Sequence, residues 1–440
     1  LALKSGVDLN CGDTYPFLKE ALESQLISED MIDSAFKRLF STRFKLGLFD
    51  AVELNPYNSI GPEVINSKGH QKLALETAHK SIVLLQNKNK VLPLKKSIKN
   101  VFVTGPHASS AEVLLGNYYG VSSEMTTILE GIVGTVSDGT VINYKHGFLL
   151  DRPNVNPIDW TTPDAQKTDA IIVTLGISGL LEGEEGESIA STTKGDRFSM
   201  EIPENQIEFL QRLRRNNNKP IIAVVTGGSP LDLREVAKLA DAILFAWYPG
   251  EQGGKAVADI IFGNISPSGR LPITFPMSVG QLPDFNNYSM ENRTYRYMED
   301  EPLYPFGYGL SYTKFSYNNL ELNKNSISVG DSIKASVTVT NNGNMEAREL
   351  TQLYISAKNV NFVVPLQSLK GMNPIVLKPN ETQKISFKIT PEMMTLVDTE
   401  GHSLLEEGIH TVHIGGVSPN HDFKRLEIEQ PLSASFTIHK

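Results

Sequence analysis

The sequence predicts a protein of mixed class, in which an α/β domain is followed by an all-β domain. Three observations lead to this prediction. Strongly apolar runs alternate with amphipathic stretches between residues 98 and 276, whereas apolar and polar residues alternate one by one after Phe315. The first 50 residues instead have helical spacing. At 440 residues the chain exceeds one compact core, so two or three domains are expected.

Composition limits the kinds of partner and site. A net charge of −9 and the lack of a basic run argue against a nucleic-acid partner. The single cysteine, Cys11, excludes an intrachain disulfide and a cysteine-based zinc cluster. No apolar run approaches the roughly 20 residues that span a bilayer, so no membrane span is predicted. The nine histidines have no metal-ligand spacing, and the sequence implies no metal or organic cofactor.

The N-terminal 50 residues predict one short strand and two helices. Residues 7–12 alternate apolar and polar positions and stop at a glycine, as a short strand does. A helix is expected from Pro16 to about Leu26, and a second one after Ser28, a residue suited to the N-cap position. In that second helix, apolar residues recur at helical spacing and predict a buried stripe: Ile32, Phe36, Leu39, Phe40 and Phe44.

Such a small set of elements cannot form a core alone. Residues 1–6 also read like the middle of a helix and contain no initiator methionine. We therefore expect the chain to be truncated at its N-terminus, so that any targeting peptide would lie outside it.

The middle of the chain predicts a parallel sheet that is covered by helices on both faces. A linker around residues 50–70 leads into a helix predicted from Gln71 to Leu85, and crossover helices are expected at about 204–215 and 252–262. Continuous apolar runs predict the buried strands: Asn100–Gly105, Ala170–Gly176, Pro220–Gly227 and Ala242–Trp247. Each run leads into glycine or proline, which opens the carboxyl edge of the sheet, where ligands usually bind.

The C-terminal part predicts an antiparallel β-sandwich. Turn residues such as those at 341–344 separate short stretches that alternate apolar and polar side chains. This spacing is typical of a two-sheet sandwich. The strands are expected at Ile333–Val339, Leu350–Ile355, Lys384–Ile389 and Ile409–Ile414.

An acidic loop is the strongest candidate for chemistry. Directly after the strand that ends at Gly176, glutamates are interleaved with glycines: Glu182, Glu184, Glu185 and Glu187. Crowded carboxylates raise the pKa of at least one of them, and a protonated carboxyl can give its proton to a departing sugar oxygen. The alternative is an exposed acidic loop that serves only solubility.

Residues 301–313 carry a family resemblance. They hold four aromatic rings, two prolines and two glycines without helical or strand periodicity, so tertiary contacts must hold them in place. The segment 305–313 resembles the Pro-Phe-Gly-Tyr-Gly-Leu-Ser-Tyr-Thr motif of glycoside hydrolase family 3. The blocks Glu182–Glu185, Gly195–Arg197 and Ile202–Gln206 also resemble the pattern of that family.

The resemblance implies a domain order. Residues 1–50 would be the end of a TIM-like (β/α)8 barrel, and residues 51–97 a linker with a packing helix. Residues 98–280 would form a helix-flanked α/β sandwich domain. An aromatic linker at 281–314 would then lead into a fibronectin type III-like β-sandwich at 315–440.

The resemblance also implies the site residues. The general acid/base of the family is a glutamate on the acidic loop, which makes Glu184 the first choice and Glu182 the second. Extra residues at 187–194 interrupt the pattern and keep the choice among Glu182, Glu184 and Glu185 open. Asp196 and Arg197 are expected to hold the loop through a local ion pair.

The barrel would supply the other half of the site. The family nucleophile is an aspartate on an earlier barrel strand, which we expect to precede this chain. Residues 5–12 resemble a late barrel strand at the sugar-binding face, so Cys11 is expected either to line the sugar pocket or to be a small buried side chain. Asp8 is expected to cap or pair locally.

These expectations describe a retaining, exo-acting β-glycosidase that removes sugars from the non-reducing ends of β-linked oligosaccharides. We favour a β-xylosidase of xylan degradation, because residues 8–12 and the acidic loop match that group, with β-glucosidase as the alternative. The expected partner is an oligosaccharide, with a homodimer left open, in a periplasmic or secreted setting. A non-catalytic carbohydrate-binding or adhesion protein is the competing hypothesis from another class.

Overall fold

The computed structural model describes residues 1–116, 120–182, 197–358, 360–419, 424–426 and 428–439. The chain divides into two compact units, Leu1–Ser67 and Lys68–Lys440. No helix among the described residues is long and apolar enough to cross a membrane.

The N-terminal unit is helical, as expected. It contains α1 (Leu18–Glu23) and α2 (Glu29–Lys45), and α2 follows an extended Ser28 at the predicted N-cap. The hydroxyl of Ser28 makes no capping hydrogen bond. Acidic residues in the first turn of α2 and basic residues in its last turn match the helix dipole. Short 3-10 turns complete the unit: Leu3–Ser5, Tyr15–Phe17, Val52–Leu54, Pro56–Ser59 and Pro62–Val64.

Two predictions for this unit are wrong. Residues 7–12 form no strand, because a strand needs a hydrogen-bonded neighbour and no described strand pairs with them. The apolar stripe of α2 is not buried either: Phe36 is 53% exposed and Phe44 is 65% exposed. Helical spacing places these rings on one face, but only an element packed on that face buries them. The rings instead contact one another, with Phe36 stacked on Phe40 at 3.9 Å between centroids.

The larger unit begins with α3 and a six-stranded sheet. Helix α3 (Lys68–Ser81) ends before the predicted Leu85, and the apolar stretch that follows becomes a strand, β1. The spatial order is β1-β6-β5-β4-β2-β3, with β1 antiparallel and the other strands parallel. The bounds are β1 (Val83–Asn87), β2 (Asn100–Thr104), β3 (Val141–Lys145), β4 (Ala170–Gly176), β5 (Ile221–Thr226) and β6 (Ala242–Trp247).

Both faces of this sheet are covered, as predicted. Along β2, Phe102 belongs to one hydrophobic cluster, whereas Val101 and Val103 belong to the other. This division follows from the alternation of side chains across a strand. Helices α6 and α7 contribute to the first cluster, and α3, α4 and α8 to the second. The helices are α4 (Ile128–Val133), α5 (Thr162–Ala165), α6 (Glu204–Arg214), α7 (Arg234–Leu239), α8 (Gly253–Ile261) and α9 (Thr294–Tyr297).

The aromatic segment 301–313 is held by tertiary contacts, as its sequence predicted. The hydroxyl of Tyr308 donates to the carbonyl of Leu85 at 3.1 Å, and that of Tyr312 donates to the carbonyl of Ile260 at 2.6 Å. The backbone N–H of Leu310 donates to the carbonyl of Leu84 at 2.8 Å, which adds a bridge along β1.

The C-terminal part is the predicted β-sandwich. A five-stranded sheet, β11-β10-β15-β16-β8, faces a three-stranded sheet, β12-β9-β7, across one apolar core. All pairs are antiparallel except β16 with β8. A small hairpin, β13-β14, follows helix α10 (Pro391–Met394). The strands are β7 (Phe315–Leu322), β8 (Ser326–Ser328), β9 (Ile333–Asn341), β10 (Ala347–Ala357), β11 (Ser368–Leu377), β12 (Thr382–Ile389), β13 (Leu396–Val397), β14 (Ser403–Leu404), β15 (Gly408–Gly415) and β16 (Leu432–His439).

Candidate active site

The candidate site lies where β4, β5 and β6 end. These strands are neighbours and parallel, so the segments that follow them meet at one edge of the sheet. The segments are residues 177–182 after β4, residues 227–229 after β5, and Tyr248 after β6. The first of them is the start of the predicted acidic loop.

The carboxylate of Glu182 is held by donors from two other segments. Its Oε2 accepts from the backbone N–H of Gly228 at 2.7 Å and from the hydroxyl of Tyr248 at 2.7 Å. Its Oε1 accepts from the hydroxyl of Ser229. Both carboxylate oxygens of Glu182 are therefore occupied as acceptors by protein groups.

Gly228 makes this approach sterically feasible. A Cβ at that position would lie 3.0 Å from Oε2 of Glu182 and 3.1 Å from Cε2 of Tyr248, so that one of these groups would have to move by a few tenths of an ångström. The missing side chain therefore lets the carboxylate and the phenol close onto the same backbone N–H.

A register shift at the end of β6 places Tyr248 next to Glu182. Pairing with β5 runs regularly to Val225 opposite Phe245, and then skips Ala246, so that Thr226 faces Trp247. Trp247 adopts a φ of 58°, a left-handed conformation that is uncommon for a bulky residue. The extra residue re-aims the chain, as β-bulges do next to active sites.

The phenol of Tyr248 is a dependable donor. Burial raises its pKa, and the negative charge of Glu182 raises it further. Tyr248 therefore keeps its proton over the physiological pH range. Burial lowers the pKa of the Arg197 guanidinium, an effect that the negative charge of Glu182 opposes.

A second carboxyl belongs to this edge. Glu112, in the 3-10 turn Glu112–Leu114 beyond β2, is half-buried. Burial raises its pKa, and a hydrogen bond from Ser178 partly opposes that shift. The buried Ser178 also begins the loop after β4, since its carbonyl accepts from the N–H groups of Leu181 and Glu182 at 2.9 and 3.0 Å.

A buried histidine lies under the same edge. His107 is 2% exposed, and its Nδ1 is 2.7 Å from the hydroxyl oxygen of Thr226. Burial, with a smaller contribution from His146, lowers the pKa of His107 to about 4. The imidazole is therefore neutral near pH 7. Within the described ranges, no cluster of three or more acidic, histidine or cysteine side chains could hold a metal ion.

The predicted site residues are distributed unevenly. Glu182 lies in the candidate site, whereas Glu184, Glu185 and Asp196 lie outside the described residues. Arg197 donates from Nη2 to the carbonyl of Glu201 at 2.7 Å, and the ion pair expected between Asp196 and Arg197 stays a prediction.

In the N-terminal unit, Cys11 is exposed, which overturns the alternative of a small buried side chain there. A cysteine becomes buried only where neighbouring elements pack over it, and the strand that was expected to carry Cys11 does not form. Asp8 is paired, as expected, but its partner is not local in sequence: Arg38, 30 residues further along, donates to its two carboxylate oxygens at 2.8–3.0 Å.

Sequence reasoning missed four residues of the site: Gly228, Ser229, Tyr248 and Glu112. Their position in the sequence could have identified three of them. Gly228, Ser229 and Tyr248 directly follow predicted parallel strands, and the carboxyl ends of these strands lie at one edge of the sheet. The residue types alone, two small residues and a tyrosine in turn-rich blocks, gave no indication of chemistry.

Two family models match this chain. Residues 82–312 match the glycosyl hydrolase family 3 C-terminal domain, and residues 349–418 match the fibronectin type III-like domain. The two models follow each other in the order that the sequence predicted.

Known proteins resemble almost the whole chain. The periplasmic β-glucosidase of Salmonella typhimurium is 33% identical over 455 residues, which cover 94% of this chain and 58% of that protein. A putative β-xylosidase of Formosa agariphila is 34% identical over 443 residues, which cover 98% of this chain and 56% of that protein.

A solved structure extends this likeness to the fold. A β-glucosidase from Erythrobacter marinus superposes with a TM-score of 0.84 at 30% identity, covering 99% of this chain and 59% of that one. The chain thus spans less than two thirds of the length of these relatives. Since the first family model covers more than half of the 440 residues, the resemblance is confirmed, and the chain belongs to glycoside hydrolase family 3.

Proposed function

We propose that this chain is the C-terminal part of a retaining, exo-acting β-glycosidase that removes sugars from the non-reducing ends of β-linked oligosaccharides. One observation carries the proposal. The acidic loop starts at the carboxyl edge of the parallel sheet, where Glu182 is fixed by Gly228, Ser229 and Tyr248. A glycosidase needs a carboxylic acid that protonates the departing sugar oxygen, and the glutamates of this loop are the candidates for it.

The proposed mechanism divides the chemistry between two parts of the protein. An aspartate on a barrel strand that precedes this chain attacks the anomeric carbon, while Glu184 protonates the leaving oxygen. Glu184 then takes a proton from the water that resolves the covalent intermediate. Glu182 is the second choice for this role. Retention requires the two carboxyls to lie about 5–5.5 Å apart.

Domain assignments follow from the same proposal. We infer that residues 1–50 are the end of the TIM-like barrel and that residues 51–97 link it to the α/β sandwich domain at 98–280. The aromatic linker at 281–314 and the fibronectin type III-like domain at 315–440 complete the chain. Cys11 remains a predicted lining residue of the sugar pocket, and a homodimer remains a prediction.

The sugar is proposed to be xylose, with glucose as the alternative. Residues 8–12 and the acidic loop favour xylose, and relatives named β-xylosidase occur in Formosa agariphila and Xylanibacter ruminicola. A relative named β-glucosidase is similar to a comparable degree, at 33% identity. The two sugars differ by one hydroxymethyl group, so a few subsite contacts decide between them.

The test is a substrate panel on the full-length protein. Aryl β-xylosides should be cleaved faster than aryl β-glucosides, and the 440-residue chain alone should cleave neither, because it lacks the proposed nucleophile. Glu184→Gln should keep fast cleavage of activated aryl glycosides and lose natural oligosaccharides. Turnover by the isolated chain would refute the missing nucleophile. Binding of oligosaccharides without turnover by the full-length protein would instead identify a non-catalytic binding protein.

A further inference from the structure

The three donors to Glu182 come from two different strand ends. Gly228 and Ser229 follow β5, Tyr248 follows β6, and Glu182 itself lies on the loop after β4. This one carboxylate therefore ties together the carboxyl ends of three neighbouring strands.

Such a carboxylate is poorly suited to proton donation. A general acid must hold a proton and present it to the substrate oxygen. Both oxygens of Glu182 already accept hydrogen bonds from protein groups, so neither oxygen is directed at a substrate. A carboxyl group with this many partners can fix a loop in place, because several directional hydrogen bonds hold it at once.

Tyr248 reaches Glu182 only because the chain is distorted. Trp247 has a φ of 58° beside the skipped register position, and that left-handed conformation is strained for a bulky residue. The surrounding structure fixes this distortion, since Nε1 of Trp247 donates to the carbonyl of Ser81 at 3.1 Å and its ring contacts Phe245. Strain that is retained beside a catalytic edge points to a positioning function.

Resting on the glycosidase function proposed above, we propose that Glu182 is the anchor of the acidic loop and not its proton donor, and that Tyr248 and Ser229 are positioning residues that act through it. The anchor fixes the direction in which the loop leaves β4. It thereby determines where the proton donor meets the leaving oxygen.

The kinetic test uses the full-length protein and two aryl β-glycosides, one with an activated leaving group and one whose leaving group needs protonation. Tyr248→Phe should lower kcat/KM roughly tenfold for the second substrate, because a charge-assisted hydrogen bond to Glu182 is lost. For the activated substrate the loss should stay below about twofold, since little proton transfer is required. Ser229→Ala should act in the same direction. Wild-type values for both substrates in Tyr248→Phe would overturn the proposal.

Tyr312→Phe is the matched control. It removes a tyrosine hydroxyl whose one described partner is the backbone carbonyl of Ile260, at 2.6 Å, and should leave kcat/KM unchanged for both substrates. A loss in this variant equal to that in Tyr248→Phe would mean that any lost hydroxyl impairs the enzyme, which also contradicts the proposal.

The pH profile separates positioning from proton donation. The alkaline limb of kcat/KM reports the ionisation of the proton donor, so it should persist in Glu182→Gln. The double variant Glu182→Gln with Tyr248→Phe should lose no more activity than Glu182→Gln alone, because Tyr248 acts through Glu182. Disappearance of the alkaline limb in Glu182→Gln would make Glu182 the donor.

A readout without catalysis keeps this inference distinct from the proposed function. If the full-length protein shows no glycosidase activity, the proposed function fails, and proteolysis decides whether the anchor exists. A glutamate-specific protease should cleave next to Glu182 roughly tenfold faster in Tyr248→Phe than in wild type, because a released side chain becomes accessible to it. Tyr312→Phe should be cleaved at the wild-type rate. Equal rates in all three proteins would disprove the anchor.

Discussion

Two glutamates of this protein accept a tyrosine hydroxyl at the same distance but lie in different surroundings. Glu182 accepts from Tyr248 at 2.7 Å at the carboxyl edge of the sheet. Glu349 accepts from Tyr317 at 2.7 Å and also from Arg270 at 2.6 Å, with its side chain 3% exposed. Within the described part of the chain, no cation lies at ion-pair distance from the half-buried Glu182.

The difference distinguishes a structural carboxylate from one available to a site. The Arg270–Glu349 pair joins the segment after α8 to β10 of the sandwich, and its two charges neutralise each other away from water. At the sheet edge, neutral donors hold Glu182, and its negative charge acts on Tyr248 and, beyond ion-pair distance, on Arg197. The raised pKa of the Tyr248 phenol, due to burial first and Glu182 second, reflects this charge.

The largest expected effect is the loss of the buried ion pair. Glu349→Gln should lower the free energy of unfolding by about 3–5 kcal/mol, because it leaves the charge of Arg270 buried without compensation. Urea denaturation of the 440-residue chain measures this change. Glu321→Gln, which removes an exposed partner of Lys384, should have no resolvable effect. If Glu349→Gln were as stable as wild type, Glu349 would not be the structural carboxylate that distinguishes it from Glu182.

The second largest expected effect is a loss of folding stability at acid pH that is caused by His107. Because the folded-state pKa of His107 is lowered from 6.5 to about 4, the unfolded state binds a proton more readily between those values. Stability is therefore full above about pH 6.5 and falls as the pH drops toward 4, by about 3 kcal/mol for this group.

In the variant His107→Asn, the free energy of unfolding should decrease less between neutral pH and pH 4. Urea denaturation near neutral pH and near pH 4 would show a smaller decrease in the free energy of unfolding than in wild type. The remaining decrease includes His413 of the sandwich, whose pKa burial also lowers to about 4. His439→Asn, at an exposed strand end, serves as the control and should keep the wild-type pH dependence. An unchanged slope in His107→Asn would contradict the burial argument.

The smallest effect compares the two tyrosines directly. Tyr317→Phe should cost about 1–2 kcal/mol of folding free energy, because Glu349 is buried and water cannot replace the lost donor. Tyr248→Phe should lower the free energy of global unfolding by roughly 0.5 kcal/mol or less, since Glu182 is only half-buried and water solvates its carboxylate once the side chain is released. Chemical denaturation of both variants gives the comparison. If both variants lost the same folding free energy, Glu182 and Glu349 would not differ in their access to water.

The sequence predicted strands correctly where they are buried on both faces and therefore consist of consecutive apolar residues. The apolar runs at Ala170–Gly176 and Ala242–Trp247 gave β4 and β6 with correct bounds, because strands covered on both faces need apolar side chains on each. Strand β3 was missed because it is an edge strand with partly exposed side chains. Phe36 and Phe44 were misjudged because spacing indicates a shared face and not whether another element covers it.

The candidate site could be predicted only in part. Position after a buried strand identified the loop that carries Glu182. The donors to this carboxylate lie 46 to 66 residues further along the chain, and they meet it only through the order of strands in the sheet. The skipped register position before Tyr248 is a consequence of tertiary pairing, and no local pattern in the sequence indicates it.

The bridge from Leu310 to Leu84 has a practical consequence for truncated versions of this protein. Strand β1 is an edge strand of the sheet. An edge strand with unpaired backbone groups can pair with another chain and cause aggregation. A shortened version that stops before residue 301 would lose this bridge together with the Tyr308 bond to Leu85. Expression plasmids for the α/β domain should therefore extend past residue 313, and shorter ones are expected to yield insoluble material.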